Sequence, residues 1–285
     1  MRRVFQFMMK TVISNYSLVE IASVTDLPYV VLVETSLRIC FGVLIDALWV
    51  LTVAHCFGPL RTAMVVAGTT HWEKSNNKIQ SYEVIIHPDY KKTKNIFQES
   101  SDLALIRLRD PILLTSDTKI LQLEAEPWPQ QSSEMYHRTC TTVGYTMGTS
   151  NNLSLHAYVT TAQHGHAGCA CYGASAKQIL VCLLDAKSPL CEDLPGSPLV
   201  CANKLTAIAL KLFNLKSCYR TRKKIISLCS DEDTIHVYLY ICPHLDWIKQ
   251  YVLRTPSKPS SCKAPISSDV LIPVFYFILV FLLVV

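Results

Sequence analysis

Charged residues are scarce in this chain of 285 residues: they make up 17% of it, whereas hydrophobic residues make up 50%. This composition excludes general disorder, and the length suffices for one large or two small hydrophobic cores. The formal net charge is only +5, which argues against a nucleic-acid partner. Part of the positive charge lies in one loop, Arg220, Arg222, Lys223 and Lys224. This basic loop is either a solvated surface or a partner-binding site.

Paired zinc-knuckle cysteines are absent as well. The chain has 12 cysteines, but the most closely spaced pair, Cys169 and Cys171, is separated by one residue, which is the wrong spacing for zinc. We therefore expect neither a metal nor another cofactor. Twelve cysteines without such knuckles favour disulfide bonds in an oxidising compartment. Two glycosylation sequons, at Asn15 and Asn152, are compatible with secretion.

The N-terminal segment, residues 1–24, lacks the uninterrupted apolar core of a signal peptide. It has a basic start, but Gln6, Lys10 and Asn15 break its apolar run. It is either a weak export signal or a non-native start.

The C-terminal part combines a Pro/Ser-rich segment with an apolar one. Residues 254–269 are interpreted as a linker. Residues 270–285 are sixteen uncharged residues, slightly fewer than the ~20 of a membrane-spanning helix. They are interpreted as a lipid-anchor signal, a retained membrane tail, or a buried strand or helix. Deleting 270–285 and fractionating the cells tests whether this segment is an anchor, because unchanged membrane retention would exclude an anchoring tail.

Short apolar runs separated by turns fill residues 25–253, among them "YVVLVE", "WVLTVAH", "LALIRL" and "IHVYLYI". Runs of this length, rich in Val, Ile, Leu and Tyr, predict an all-β barrel or sandwich. The chain has room for two barrels of roughly 100 residues each. Only "PHLDWIKQYVLR", residues 243–254, predicts a helix, with Pro243 near its start.

Three segments carry candidate functional residues. "WVLTVAHC" places His55 directly after an apolar strand, and "SSDLALIRL" places Asp102 at the start of another. The third, "LCEDLPGSPLVC" at 190–201, is a turn bracketed by cysteines. Taken singly, the histidine reads as a core residue and the aspartate as a turn cap.

Taken together, the three segments resemble the trypsin-like (chymotrypsin-fold, S1) serine proteases. That family carries "TAAHC", "DIALI" and "GDSGGPLVC", where this chain has "TVAHC", "DLALI" and "EDLPGSPLVC". The resemblance runs from about Pro28 to Val252 in the same order. It implies an all-β fold of two six-stranded antiparallel β-barrels with a C-terminal helix. It also implies that His55 and Asp102 correspond to two members of a catalytic triad.

The resemblance further implies a set of disulfide bonds. The implied pairs are Cys40–Cys56, Cys140–Cys201, Cys191–Cys218, and Cys182 with either Cys169 or Cys171. Four of the 12 cysteines stay without an assigned partner in this alignment: whichever of Cys169 and Cys171 is not used, and Cys229, Cys242 and Cys262.

The residue aligned with the nucleophilic serine is Pro195. Proline has no hydroxyl to attack a carbonyl and no backbone N–H. In this family the N–H of the nucleophile is one of the two donors that stabilise the oxyanion. One substitution therefore removes both functions, and we expect no catalysis.

Neighbouring positions depart from the family pattern in the same direction. Asp193 stands where a glycine supplies the other oxyanion donor, and its carboxylate would repel the oxyanion. Leu194 stands where an aspartate receives the new N-terminal amine after zymogen cleavage. Pro189 stands at the floor of the specificity pocket. Together with Glu192, residues Pro189 and Asp193 are expected to form a degenerate binding cleft.

Two other serines are poorly placed to replace the missing nucleophile. Ser197 lies two residues along the chain, ~6–7 Å in extended backbone. Proton transfer to His55 requires ~3 Å. Ser188 is no better placed.

The sequence thus predicts an inactive serine protease homologue that binds an unidentified protein. We expect it to be secreted or held at the extracellular face of the membrane through its tail. Its "PYVVLVETSLRICFGVLIDALWVLTVAHC" segment is similar to inactive trypsin-like proteins of the male reproductive tract. This likeness suggests a role in sperm maturation or fertilisation. The alternative is an active serine-type endopeptidase with an unusual active site.

Overall fold

The computed structural model describes residues 18–20, 26–69, 78–90, 101–128, 137–147, 153–165, 168–169, 179–183, 195–214 and 234–262. These residues form thirteen β-strands and one short α-helix, α1 (Leu245–Lys249). The strands are β1 (Leu18–Glu20), β2 (Val30–Thr35), β3 (Ile39–Asp46), β4 (Trp49–Thr52), β5 (Ala63–Val66), β6 (Lys78–Ile86), β7 (Ala104–Leu108), β8 (His137–Met147), β9 (Leu153–His164), β10 (Leu180–Leu183), β11 (Pro198–Cys201), β12 (Lys204–Asn214) and β13 (Thr234–Tyr240).

The first barrel closes six antiparallel strands in the order β2-β3-β4-β7-β6-β5. Its strands are the apolar runs of the sequence, rich in β-branched residues that favour extended backbone. Val33 on β2, Val43 on β3 and Val65 on β5 are fully buried. Burying such side chains supplies the main driving force for closing the barrel.

The second barrel contains β8 to β13 in the order β9-β10-β13-β12-β11-β8, and the pairing of β8 with β9 closes it. The prediction of two six-stranded antiparallel barrels is confirmed. A further short strand, β1, pairs with β9 outside this set. The apolar runs did not predict β1, β9 or β10, because polar residues interrupt the apolar ones throughout β9 and the other two strands are only three and four residues long.

The C-terminal helix is shorter than predicted over 243–254. A 3₁₀ turn covers Cys242–His244, and α1 ends at Lys249. The predicted apolar face is correct, since Leu245, Ile248 and Val252 are buried. After the helix the chain returns to its start, where a disulfide joins Cys242 to Cys262.

Residues 254–262, interpreted from the sequence as the start of a linker, pack against the domain. Besides the Cys242–Cys262 bond, Lys258 lies 2.8 Å from the carboxylate of Asp246. Thr255 is buried. Because of these contacts, this part of the segment is an extension of the domain and not a linker. Among the described residues no helix has the length and apolar character needed to cross a bilayer. Residues 270–285 lie outside them, so the membrane interpretation stays a prediction.

Two buried histidines join the first barrel to the C-terminal segment. The rings of His87, after β6, and His244 meet edge to face at 5.1 Å between centroids, and Trp247 lies 4.7 Å from His87. Burial lowers the pKa of His87 to about 4, although the charge of Asp89 opposes the shift. Burial, with the charges of His87 and Lys258, lowers the pKa of His244 to about 3.

We predict that replacing His244 by phenylalanine makes stability less dependent on pH. Both histidines take up protons near pH 6.5 when unfolded but only near pH 3–4 when folded, so the unfolded state binds more protons in between. Their contribution to stability is complete above pH 6.5 and is lost as the pH falls toward 4. Denaturant unfolding of wild type and variant between pH 7 and 4.5 measures this. The prediction would be contradicted if the free energy of unfolding fell as steeply with pH in His244→Phe as in wild type. It would also be contradicted if the control His137→Phe, at an exposed site, reduced this pH dependence equally.

Candidate active site

His55 is held by the turn that follows β4. The strand ends at Thr52, and a 3₁₀ turn covers Ala54–Cys56. The Cys40–Cys56 disulfide ties this turn to β3. His55 keeps 19% of its side chain exposed, whereas its neighbours Ala54 and Cys56 are buried. The turn therefore presents the imidazole at the protein surface from a rigid base.

Asp102 fixes the orientation of His55. One carboxylate oxygen, Oδ2, lies 2.7 Å from His55 Nδ1, and the other, Oδ1, accepts the His55 backbone N–H at 2.9 Å. Asp102 is only 1% exposed. Because a carboxylate only accepts hydrogen bonds, Nδ1 is the protonated nitrogen of the neutral ring and Nε2 is left as the acceptor. These two residues form a histidine–aspartate pair competent as a general base.

The segment Pro195–Ser197 joins the two barrels through its main chain. The Phe41 N–H of β3 donates to the Pro195 carbonyl at 2.8 Å, and the Gly196 N–H donates to Ala209 of β12 at 2.8 Å. Gly196 has a φ of +88°, which glycine adopts without strain. A Cβ at this position would overlap with the Phe41 carbonyl oxygen and lie 2.7 Å from Thr52 Oγ1. We call Phe41, Thr52, Pro195, Gly196 and Ala209 the barrel junction.

A sequence-family model described as Trypsin matches residues 20–248. The chain belongs to the trypsin family. This trypsin-family chain is 28% identical over 241 residues to kallikrein-12 of Homo sapiens, covering 75% of this chain and 81% of that protein. It is 26% identical over 234 residues to trypsin V-B of Rattus norvegicus, covering 80% and 85%.

A solved structure agrees with the fold. It is described as neuropsin, a serine protease expressed in the limbic system of mouse brain, and it superposes with a TM-score of 0.62. The alignment covers 80% of this trypsin-family chain and 96% of that chain, at 24% identity. At this identity the likeness supports the fold alone.

Ser197 forms no hydrogen bond through its hydroxyl with the histidine–aspartate pair. It is 1% exposed, and its hydroxyl has no hydrogen-bond partner. A serine that relays its proton to His55 would need a bond to Nε2. The buried position agrees with the interpretation that Ser197 does not take over as nucleophile.

Other predicted site residues of this trypsin-family chain lie outside the described residues. They are Ser188, Pro189, Glu192, Asp193, Leu194, the basic loop Arg220, Arg222, Lys223 and Lys224, and the sequons at Asn15 and Asn152. Their assigned roles stay predictions. Within the described ranges, no three His, Cys, Asp or Glu side chains converge as metal ligands would.

Four disulfides brace the described part of the fold. Three of them agree with the pairing implied by the family resemblance: Cys40–Cys56, Cys140–Cys201 and Cys169–Cys182. The resemblance allowed either Cys169 or Cys171 as the partner of Cys182, and in the structure it is Cys169. The Cys191–Cys218 pair lies outside the described residues. Cys242–Cys262 was not foreseen. The signal that could have revealed this bond is Cys262 itself, a cysteine within the segment that was interpreted as a linker.

We predict that Gly196→Ala lowers the free energy of unfolding by roughly 3 kcal/mol, because the new Cβ meets backbone and the φ value is unfavourable. Gly58→Ala is the matched control: its Cβ would lie 3.2 Å from the movable end of Leu37, so we expect a small change. Denaturant unfolding of both variants measures the difference. Equal stabilities would show that the barrel junction tolerates a side chain at 196.

Proposed function

We propose that this chain is a catalytically inactive member of the trypsin family that works by binding a protein partner outside the cell or at its surface. The observation that carries the proposal is Pro195 at the position aligned with the nucleophile. In the structure Pro195 lies three residues before β11, and its carbonyl accepts the N–H of Phe41 on β3 at 2.8 Å. The assignment of Pro195 to the nucleophile position rests on the sequence motif.

The chemical consequence follows from what proline lacks. Without a hydroxyl there is no acyl-enzyme intermediate, and without an N–H there is one oxyanion donor fewer. Loss of the nucleophile costs on the order of a million-fold in turnover. Loss of one oxyanion donor costs roughly a hundred- to a thousand-fold. The two losses do not add simply, but the first is sufficient.

Under this proposal the histidine–aspartate pair keeps its orientation, but no nucleophile hydroxyl is present from which His55 could take a proton. Its retention has a structural explanation. Asp102 is almost completely buried and holds both Nδ1 and the backbone N–H of His55. Removing either partner would leave buried polar groups unpaired, which destabilises a fold.

A binding role is supported by what the chain keeps. Both barrels, their cores and four disulfides are present in the described residues. A rigid scaffold that holds surface loops is suited to recognition. A trypsin-like domain with disulfides is typical of secreted or extracellular proteins. Membrane attachment through 270–285 and a role in reproduction extend the proposal and rest on sequence alone.

One observation favours the alternative of an active endopeptidase. The pair of His55 and Asp102 has the geometry of a working general base, and the relatives named above include a trypsin and a kallikrein. A nucleophile supplied from elsewhere in the chain would make this site functional.

The two functions are separated by labelling with a fluorophosphonate, which reacts with activated serines. We predict no labelling of the purified protein under conditions in which rat trypsin V-B is labelled. The matched control is His55→Ala, which removes the general base. Labelling of the wild type that disappears in His55→Ala would establish a serine nucleophile and overturn the proposal.

A further inference from the structure

Three large apolar side chains are exposed together at one end of the first barrel. Leu37 is 55% exposed, Ile39 44% and Leu60 69%. They belong to two exposed stretches, residues 36–39 and 59–62. Clustered apolar exposure of this kind is costly in water and marks interaction sites in soluble proteins.

Strand pairing brings the two stretches side by side. Thr35 at the end of β2 pairs with Ala63 at the start of β5, so residues 36–39 and 59–62 continue from adjacent strand ends. Leu37 lies beside Gly58, the residue before the second stretch: its Cδ1 is 3.2 Å from the position of a Cβ on Gly58. The two stretches therefore lie side by side next to the turn that carries His55, with Leu37 at their boundary.

This surface is held rigid by Thr35. Its hydroxyl lies 2.9 Å from the carbonyl oxygen of Cys56 and accepts the N–H groups of Leu37 and Arg38, both at 3.2 Å. The Thr35 N–H donates to the Arg38 carbonyl at 3.0 Å. Cys56 is in turn bonded to Cys40. A surface ordered before binding loses little conformational entropy when a partner docks.

The charges around the apolar side chains are positive. Arg38 and Arg61 are exposed on the two stretches, and neither forms an ion pair with another described residue. The nearest acid on β2, Glu34, is already paired with Lys78 at 2.6 Å. An uncompensated pair of guanidinium groups beside an apolar surface is complementary to a segment that carries both apolar and acidic side chains.

We propose that Leu37, Ile39 and Leu60, flanked by Arg38 and Arg61, form a docking surface for an apolar, acidic segment of a partner protein. This docking surface rests on the proposed function for the binding role, and it specifies where on the chain the partner would bind. It requires neither the side chain of Pro195 nor the Nε2 atom of His55. Docking is therefore compatible with loss of catalysis.

Selection of random linear peptides displayed on phage against the whole chain tests this surface. We expect the selected peptides to combine large apolar residues with Asp or Glu. Their affinity should fall at least about tenfold both for Leu37→Ser/Leu60→Ser and for Arg38→Glu/Arg61→Glu. The matched control is Leu113→Ser/Arg109→Glu, which changes an exposed leucine and an exposed arginine elsewhere on the first barrel and should leave affinity unchanged. Thermal unfolding of each variant checks that folding is intact.

Several outcomes would overturn the docking surface. They are an absence of binding peptides, peptides insensitive to the two patch variants, and peptides equally weakened by the control variant. Peptide binding that is lost only in His55→Ala would place the binding site in the cleft. It would overturn the docking surface but leave the proposed binding role intact. Binding to phosphatidylserine vesicles that Arg38→Glu/Arg61→Glu abolishes, without peptide binding, would assign the surface to membranes. Failure of the proposed function itself appears separately, as fluorophosphonate labelling.

Discussion

The fold depends on the barrel junction, where Pro195 and Gly196 of one barrel meet Phe41 and Thr52 of the other. Its bonds are made by main-chain groups: the Pro195 carbonyl accepts from Phe41, and Gly196 donates to Ala209. Thr52 adds a bond at 2.7 Å to the Phe41 carbonyl. The side chain at 195 takes no part in these bonds. The proposed absence of a nucleophile at position 195 is therefore compatible with an intact barrel junction.

The same distinction between structure and chemistry applies to His55 and Asp102. Their hydrogen bonds satisfy a buried carboxylate and fix the turn beside the Cys40–Cys56 disulfide. The pair therefore contributes to folding whether or not a nucleophile is present. Its presence in the chain is therefore compatible with an active site and with the inactive one proposed above.

The sequence predicted what short, distinctive patterns encode. Apolar runs identified most strands, and the motifs around His55, Asp102 and Pro198 indicated the family. The resemblance implied two of the disulfides that the described residues contain, and for a third it left the partner of Cys182 open between Cys169 and Cys171. Strand β9 was not predicted because polar residues interrupt its apolar ones, and its pairing with the neighbouring strands β8 and β10 is not visible in its own composition. The contact of His87 with His244 joins residues far apart in sequence. Likewise, nothing in "TSLRIC" shows that Leu37 and Ile39 stay exposed beside Leu60, because exposure depends on the pairing of β2 with β5.

The free energy of unfolding of Pro195→Ser tests most directly whether the side chain at 195 is independent of the fold. If the junction uses only the carbonyl of residue 195, serine keeps the bond from Phe41, and the change should stay within about 1 kcal/mol, the difference expected from a freer unfolded chain. A loss of more than about 3 kcal/mol, the upper range for single substitutions, would show that the fold requires the proline ring. It would contradict the claim that the side chain at this position is independent of the architecture.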